Sequence, residues 1–358
     1  MKMGNTKVLI IKDKKSSSTK MKDQIKGCLI GSAIGDGFGY PTEFLTLEEI
    51  KSKWGEKGLQ EPIGEIIKIT DDTQMAIAVA KAVVAAYEDG SIEPKIFERE
   101  LIQEFIHWLN DPENNRAPGM TCLRSCENLE KGMPWQVATA KNSKGCGANM
   151  RVTPIGLLKF KHPNFTNEDI AKIAQFQAAI THGHPTALVA SELTAITIIK
   201  IIEGVTPNHL VDELLEYANH QKEQYHQNWL KDIWQRPGVM TQKDFINRGW
   251  NDCIEVLNKV KYGVKKDDKQ IDPCETTGEG WVAEESFGTA LLCFLLFPDD
   301  LGATLIRAVN TKGDSDSIAC LAGAFAGAKN GIQPIPKDWI KRLEYRKELE
   351  EYLNFILN

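Results

Sequence analysis

The sequence predicts a single all-α domain, and three observations lead to this prediction. Apolar residues recur at helical spacing through most of the chain, strand signals are few, and nothing repeats at a fixed period. The 358 residues are enough for one large domain or for two ordinary ones. Because only one long polar interruption, over residues 261–280, breaks the helical pattern, we interpret the chain as one helical domain with a surface loop there.

The N-terminal segment differs in composition from the rest of the chain. Residues 1–20 combine a short apolar run with lysines and serines, so we predict a flexible N-terminal arm there and a folded domain over 21–358. The first helix of that domain has Gly27, Gly31 and Gly35 at four-residue spacing. Small residues at this spacing lie on one face and allow another helix to pack closely against them.

The remaining helices are predicted from caps and apolar spacing. The clearest one begins at residues 70–73, where Thr, Asp, Asp and Thr form a polar start, and it ends before Gly90. By apolar spacing, further helices are predicted at 95–109, 167–181, 186–203, 209–227, 243–260, 281–297 and 317–329.

Composition narrows the classes of function. The net charge of −6 and the pI near 5.8 argue against nucleic-acid binding. The eight cysteines are scattered, and the one close pair, Cys122 and Cys126, lacks a second pair, so we expect reduced thiols and no zinc site. We expect no apolar run of membrane-spanning length and no signal peptide. The protein is therefore predicted to be cytoplasmic, with neither nucleic acid nor membrane as a partner.

Two short segments carry more acidic and hydroxyl side chains than a helix cap needs. One is residues 70–73, and the other is residues 313–317, Gly-Asp-Ser-Asp-Ser, which open a helix of small residues. Each segment alone is explained by an N-cap and by acids that the helix dipole favours. Hard cations such as Mg²⁺ bind carboxylate and hydroxyl oxygens, and two adjacent ions need carboxylates from more than one segment. Together the two segments therefore favour a metal site over two unrelated caps.

Six stretches of the chain, in order, carry a resemblance to a known family. They are residues 27–43 (GCLIGSAIGDGFGYPTE), 70–73 (TDDT), 145–156 (GCGANMRVTPIG), 180–185 (ITHGHP), 280–295 (GWVAEESFGTALLCFL) and 313–317 (GDSDS). With these motifs the chain resembles the ADP-ribosylglycohydrolases, the family of the dinitrogenase reductase-activating glycohydrolase and the ADP-ribosyl-arginine hydrolases. The resemblance implies the all-α fold of that family, with a binuclear metal cleft.

The resemblance also implies roles for individual residues. Two magnesium ions, or manganese as an alternative, would be held by Thr70, Asp71, Asp72, Asp314, Asp316 and Ser317. Either Asp72 or Glu43 would help to deprotonate the attacking water; without the resemblance, Glu43 reads as a solvated loop acid. The ADP-ribose would contact Ser143, Gly145, Cys146, Gly147 and His182, where glycines let the backbone approach a diphosphate.

The function implied is hydrolysis of the N-glycosidic bond between ribose and an arginine side chain on an ADP-ribosylated protein. Serine-linked, nucleobase-linked or free ADP-ribosyl compounds are alternative substrates. A different function is that of an immunity protein, which would bind and occlude an ADP-ribosyltransferase toxin through its N-terminal arm, with or without hydrolysis. A further alternative is a two-metal phosphohydrolase that cuts the diphosphate.

Overall fold

Helices form nearly all the regular structure of this chain. The computed structural model describes the backbone of residues 4–358 and the side chains of residues 18–358. Within this described part, extended structure is limited to three isolated bridges, so the predicted all-α class is confirmed. The α-helices are α1 (Gly4–Gly39), α2 (Leu47–Trp54), α3 (Asp71–Glu88), α4 (Pro94–Leu109), α5 (Met120–Glu130), α6 (Trp135–Ala138), α7 (Thr153–Leu158), α8 (Asn167–Ala179), α9 (Pro185–Ile202), α10 (Pro207–Gln221), α11 (Gln227–Leu230), α12 (Gln242–Lys266), α13 (Cys274–Thr277), α14 (Ala283–Leu296), α15 (Leu301–Val309), α16 (Ser315–Asn330), α17 (Lys337–Arg342) and α18 (Arg346–Leu357).

Each predicted helix is present, with ends that differ by a few residues. Several short helices were not predicted, among them α2, which begins with a capping box between Thr46 and Glu49. The loop predicted at 261–280 is wrong in extent, because α12 continues to Lys266 and α13 forms a further turn. Gly263 explains the longer helix: it is buried, and a Cβ there would lie 2.9 Å from the Leu292 side chain.

Helices α1 and α16 pack backbone against backbone along a row of glycines. A Cβ on Gly31 would lie 2.5 Å from the carbonyl oxygen of Gly323, and one on Gly323 would lie 2.1 Å from the carbonyl oxygen of Gly31. The same relation holds between Gly27 and Gly327, where a Cβ on Gly327 would lie 2.0 Å from the Gly27 carbonyl oxygen. The four-residue glycine spacing is thus used for close antiparallel packing along α16, and it places the end of α1, at Gly39, against the start of α16, at Ser315 and Asp316.

Helix α9 lies in the middle of the core. Over Pro185–Ile202 its mean hydropathy is 1.5, so by length and composition this helix could cross a membrane, contrary to the sequence expectation. However, 94% of that window is buried inside the protein, which is what the core helix of a large helical domain requires. In the predicted arm at 1–20, the backbone from Gly4 onward belongs to α1, while most of the side chains lie outside the described part; the arm as a separate flexible unit stays a prediction.

Candidate active site

The start of α3 is held by a buried carboxylate from α1. Asp36 accepts hydrogen bonds from the backbone N–H groups of Thr70, at 3.0 Å, and Thr73, at 3.1 Å, and from both threonine hydroxyls. Thr70 in turn caps the helix by accepting a hydrogen bond from the Asp72 N–H at 3.3 Å. Because Asp36 satisfies the donors of this turn, the carboxylates of Asp71 and Asp72 are not needed as caps.

The turn that carries Glu43 is joined to the start of α16. Thr42 Oγ1 lies 2.9 Å from Ser315 Oγ, and Ser315 donates a hydrogen bond to the carbonyl oxygen of Gly39 at 3.0 Å. At Gly39 the backbones are so close that a Cβ would lie 2.5 Å from Cα of Asp316. Ser315 therefore has a structural role, and it positions Glu43 beside the acids of α16.

The acidic side chains of both helix starts and of the turn converge on one place. Glu43, Asp314 and Asp316 each offer a carboxylate oxygen, and these oxygens lie within 4.8 Å of one another. The buried oxygens Glu43 Oε2 and Asp72 Oδ2 have no hydrogen-bond partner in the part of the chain that the structure describes. We call Glu43, Asp71, Asp72, Asp314 and Asp316 the acid cluster.

The pKa values of the acid cluster show that its carboxylates are buried and repel one another. The pKa values of Asp71 and Asp72 are raised well above the usual range, mainly by burial and next by the charge of Asp316. The same two causes raise the pKa of Glu43 to about 10 and that of Asp36 to about 7. None of the ion pairs found among the described residues involves these carboxylates. Among the described side chains, no cation therefore pairs directly with the cluster; Arg151 acts on Asp71 only from beyond ion-pair distance.

This arrangement fits divalent metal ions. Buried carboxylates without counter-charges are costly, and a hard cation that prefers oxygen ligands removes both the repulsion and the unsatisfied acceptors. The carboxylates come from three separate segments, which is what a pair of neighbouring ions requires. The residues present therefore fit Mg²⁺ or Mn²⁺.

A second wall of the site is formed by the glycine loop, residues 143–147. The loop leads into a 3-10 turn at Cys146–Ala148, and the Cys146 N–H donates a hydrogen bond to the carbonyl oxygen of Trp281 at 3.1 Å. The Cys146 thiol donates to Asp314 Oδ2 at 2.8 Å, and burial raises its pKa well above the usual range. Cys146 is therefore a protonated thiol that joins the glycine loop to the acid cluster.

The glycines of this loop lie against His182. A Cβ on Gly145 would lie 3.2 Å from His182 Nε2, and one on Gly147 would lie 3.0 Å from His182 Cε1 and 2.9 Å from Cys122 Sγ. Their backbone angles are not in the left-handed region. These positions are glycine because the histidine ring and the thiol leave no room for a side chain.

His182 is held as a neutral ring. Burial first, and then the charge of Arg151, lowers its pKa well below the usual range. Arg151 donates a hydrogen bond to Thr181 Oγ1 at 2.7 Å, and that oxygen lies 2.8 Å from His182 Nδ1. The Thr181 hydroxyl also lies 3.5 Å from the carbonyl oxygen of Ala178, so its hydrogen has two acceptors within reach, and the tautomer of His182 depends on which of them it uses. The other ring nitrogen, Nε2, faces the glycine loop.

Comparison with known proteins agrees with this architecture. A family model described as ADP-ribosylglycohydrolase matches residues 17–358. The chain belongs to the ADP-ribosylglycohydrolase family.

Several similar proteins align with this chain over nearly their whole length. An ADP-ribosyl-[dinitrogen reductase] glycohydrolase from Rhodospirillum rubrum is 24% identical over 332 residues, which cover 92% of each chain. ADP-ribosylhydrolase ARH3 from Xenopus tropicalis is 28% identical over 367 residues, with 93% of each chain covered. A solved structure titled ADP-ribosylglycohydrolase-related protein complex superposes with a TM-score of 0.65 at 23% identity, covering 95% of this chain and 98% of that one, and it bears on the fold alone.

In this member of the ADP-ribosylglycohydrolase family, most of the predicted site residues lie together. The acid cluster adjoins Cys146, which also approaches the Ser317 hydroxyl. The Thr70 hydroxyl is engaged by Asp36 and the helix cap, so fewer of its lone pairs face the cluster. Ser143 lies at the outer end of the glycine loop, where its hydroxyl is 3.0 Å from that of Thr121. The roles of these residues as ligands and contacts remain predictions.

Two aromatic side chains beside the acid cluster were missed by the sequence analysis. Phe44 is 66% exposed and follows Glu43 directly, with a left-handed φ of 64°. Its ring stacks on that of Trp281, with centroids 5.6 Å apart and an interplanar angle of 17°. Trp281 is 38% exposed. Both residues stand in or next to motifs quoted above, but an exposed aromatic has no periodic signal that separates it from a core residue.

Proposed function

We propose that this protein hydrolyses the N-glycosidic bond of ADP-ribosylated arginine on proteins and depends on magnesium. The observation that carries the proposal is the acid cluster, in which five carboxylates converge with no directly paired cation among the described side chains. The relative from Rhodospirillum rubrum is named as a glycohydrolase of an ADP-ribosylated protein, which supports the same class of reaction here. We place this activity in the cytoplasm.

Charge supports arginine as the acceptor. Two divalent ions would supply four positive charges against the five carboxylates of the acid cluster, so the occupied site keeps a negative balance. A guanidinium group carries a permanent positive charge, whereas the O-glycosidic oxygen of a serine-linked substrate carries none. The negative balance therefore favours an arginine-linked substrate at the point where the bond breaks.

The residues of the chain divide the chemistry between them. When bound, the metal ions supply Lewis acidity that orients the ribose hydroxyls and a water molecule. Glu43 is half-buried, so it meets both solvent and the cluster, and it is the better candidate than the buried Asp72 to accept a proton from water. In the tautomer with its proton on Nε2, His182 binds the diphosphate together with the glycine loop. The transition state at ribose C1 is oxocarbenium-like, and the guanidine leaves with the bonding electron pair.

Product analysis tests the proposal. Arginine-ADP-ribosylated protein is incubated with the enzyme and Mg²⁺, and serine-linked substrate is run in parallel. We expect intact ADP-ribose and unmodified arginine as products. Release of AMP instead would identify a phosphohydrolase, and turnover of the serine-linked substrate alone would move the acceptor specificity away from arginine.

The same assay, applied to variants, tests whether the activity depends on the acid cluster. Asp316→Asn removes one carboxylate of the cluster, and we expect a loss of activity of about a hundredfold or more, because a metal ligand is lost. Asp299→Asn is the matched control, since the Asp299 side chain is 83% exposed and forms a surface ion pair with Lys329. Full activity of the Asp316→Asn protein, or of wild type treated with a chelator, would contradict the proposal.

A further inference from the structure

The stacked pair Phe44–Trp281 connects the glycine loop to a groove beside Glu43. On the Trp281 side lies the glycine loop, because the Trp281 carbonyl accepts a hydrogen bond from Cys146 and the Ala283 N–H donates one to Lys144 at 2.8 Å. On the Phe44 side lies a groove of about 800 Å³. Its wall includes Tyr40, Pro41, Glu43, Phe44, Ile63 and Ile66.

The two sides differ in what they can bind. The glycine loop offers backbone and the neutral His182 ring, which suit a diphosphate. The groove wall is mostly apolar, with Ile63 and Ile66 exposed by 47% and 54%, and it also includes the charged residues Lys53, Glu65 and Lys68. The proposed function places the ADP-ribose on the glycine-loop side. The acceptor side chain, which lies on the other side of the scissile bond, then extends over the aromatic pair toward the groove.

Phe44 reaches its stacking position with an unfavourable backbone conformation. Phe44 has a left-handed φ of 64°, which is unfavourable for a residue with a large side chain by about 1 kcal/mol or more. Burial does not explain this conformation, because the side chain is 66% exposed. The conformation instead presents the ring beside Glu43 and against Trp281.

We infer that Phe44 and Trp281 form the acceptor subsite and that the guanidinium group of the modified arginine stacks on this pair. This inference rests on the proposed function. A guanidinium group is planar, cationic and weakly hydrated, so it stacks on aromatic faces, and the methylene stem of arginine matches the apolar groove wall. Stacking next to Glu43 holds the leaving group in line with the attacked ribose carbon. Phe44 and Trp281 thereby select a planar cationic acceptor over a serine.

Steady-state kinetics and calorimetry test this assignment. The variants are Phe44→Leu, which keeps an apolar side chain and the same backbone strain, Phe44→Tyr, which keeps the aromatic face, and Trp281→Leu. We expect Phe44→Leu and Trp281→Leu to raise KM for the arginine-linked substrate about three- to thirtyfold, and Phe44→Tyr to stay near wild type. The affinity for free ADP-ribose with Mg²⁺, measured by calorimetry, should stay within about twofold of wild type, because free ADP-ribose lacks the acceptor.

A matched control is Tyr262→Leu on α12, another exposed aromatic, at 55% exposure, which should change neither quantity. An unchanged KM in both leucine variants overturns the inference. An equal loss of affinity for free ADP-ribose also overturns it, since the pair would then stack on the adenine base. A wild-type protein without arginine-linked activity would instead refute the proposed function and, with it, this assignment.

Discussion

Asp36 on α1 and Thr73 on α3 are joined by two hydrogen bonds, one from the Thr73 backbone N–H at 3.1 Å and one from its hydroxyl. Asp36 makes the same pair of bonds with Thr70. A single buried carboxylate therefore satisfies four donors at the start of α3. This leaves the two acids that follow Thr70 free to face the acid cluster.

The first prediction concerns Asp36→Asn. An amide has one acceptor oxygen where the carboxylate has two, so at least one donor of the α3 turn loses its partner, at a cost of about 1–3 kcal/mol. We expect a lower melting temperature and about a ten- to hundredfold weaker affinity for Mg²⁺, because the turn no longer orients Asp71 and Asp72. Calorimetric metal titration measures the effect. Asp300→Asn is the control: Asp300 caps α15 from an exposed position, so its loss should leave metal affinity unchanged.

The second prediction concerns pH. A carboxyl group whose pKa is higher in the folded than in the unfolded protein takes up protons on folding, so its contribution to stability is lost as pH rises through the raised pKa. For the metal-free protein this window extends from the ordinary values near 4 to about 7 for Asp36 and about 10 for Glu43. With chelator, we therefore expect a lower melting temperature at about pH 8.5 than at about pH 6.

Metal should reverse this trend. Mg²⁺ competes with protons for the same oxygens, so it should raise the melting temperature more at the higher pH. Asp316→Asn removes the charge that raises the pKa of Asp36, Glu43, Asp71 and Asp72, and the chelated variant should lose less stability with rising pH. A melting temperature that is independent of pH in the chelated wild type would speak against a mutually repelling cluster.

The third prediction concerns the glycine loop. In Gly147→Val a Cβ would lie 2.9 Å from Cys122 Sγ and 3.0 Å from the His182 ring, so the ring must move. We expect affinity for ADP-ribose to fall about tenfold or more, because a displaced ring no longer presents Nε2–H to the diphosphate. Affinity for Mg²⁺, which does not depend on this ring, serves as the internal control. Unchanged ADP-ribose affinity in calorimetry would move the diphosphate away from this loop.

The fourth prediction concerns the glycine row between α1 and α16. Gly31→Ala should lower the free energy of unfolding by about 1–3 kcal/mol or more, because the added methyl group meets a backbone carbonyl that cannot move alone. The control is Gly302→Ala in α15, where the nearest atom to a Cβ is Asp300 Oδ1 at 3.4 Å. That variant should be neutral or more stable by up to about 1 kcal/mol. Chemical denaturation of both proteins decides the point, and equal stabilities would mean that the helices separate easily.

Helix positions were largely predictable because the signals are local. Apolar spacing located α9 and α14, and a polar start located α3. The glycine spacing of α1 indicated that a helix packs closely there. The extent of α12 was not predictable from polarity alone, because Gly263 has no apolar side chain yet is buried against α14.

The candidate site was predictable in composition but only partly in arrangement. Residues 70–73 and 313–317 each contain too many acids for a cap, and this signal is present in the sequence alone. The role of Asp36 was not predictable from the sequence. A single acid at a helix end looks the same in the sequence whether it faces solvent or four buried hydrogen-bond donors. The pairing of Phe44 with Trp281 joins residues that are far apart in the chain, and only the folded backbone brings the rings together.

The glycine row between α1 and α16 also determines which parts of the chain can change in sequence without moving the acid cluster. Since main chain touches main chain there, a change of side-chain rotamer cannot alter the distance between the two helices. The separation of Asp36 and Asp316 is thus a property of the polypeptide backbone. Surface and loop residues can therefore change, and acceptor preference with them, while the backbone spacing between Asp36, which holds the start of α3, and the start of α16 stays constant.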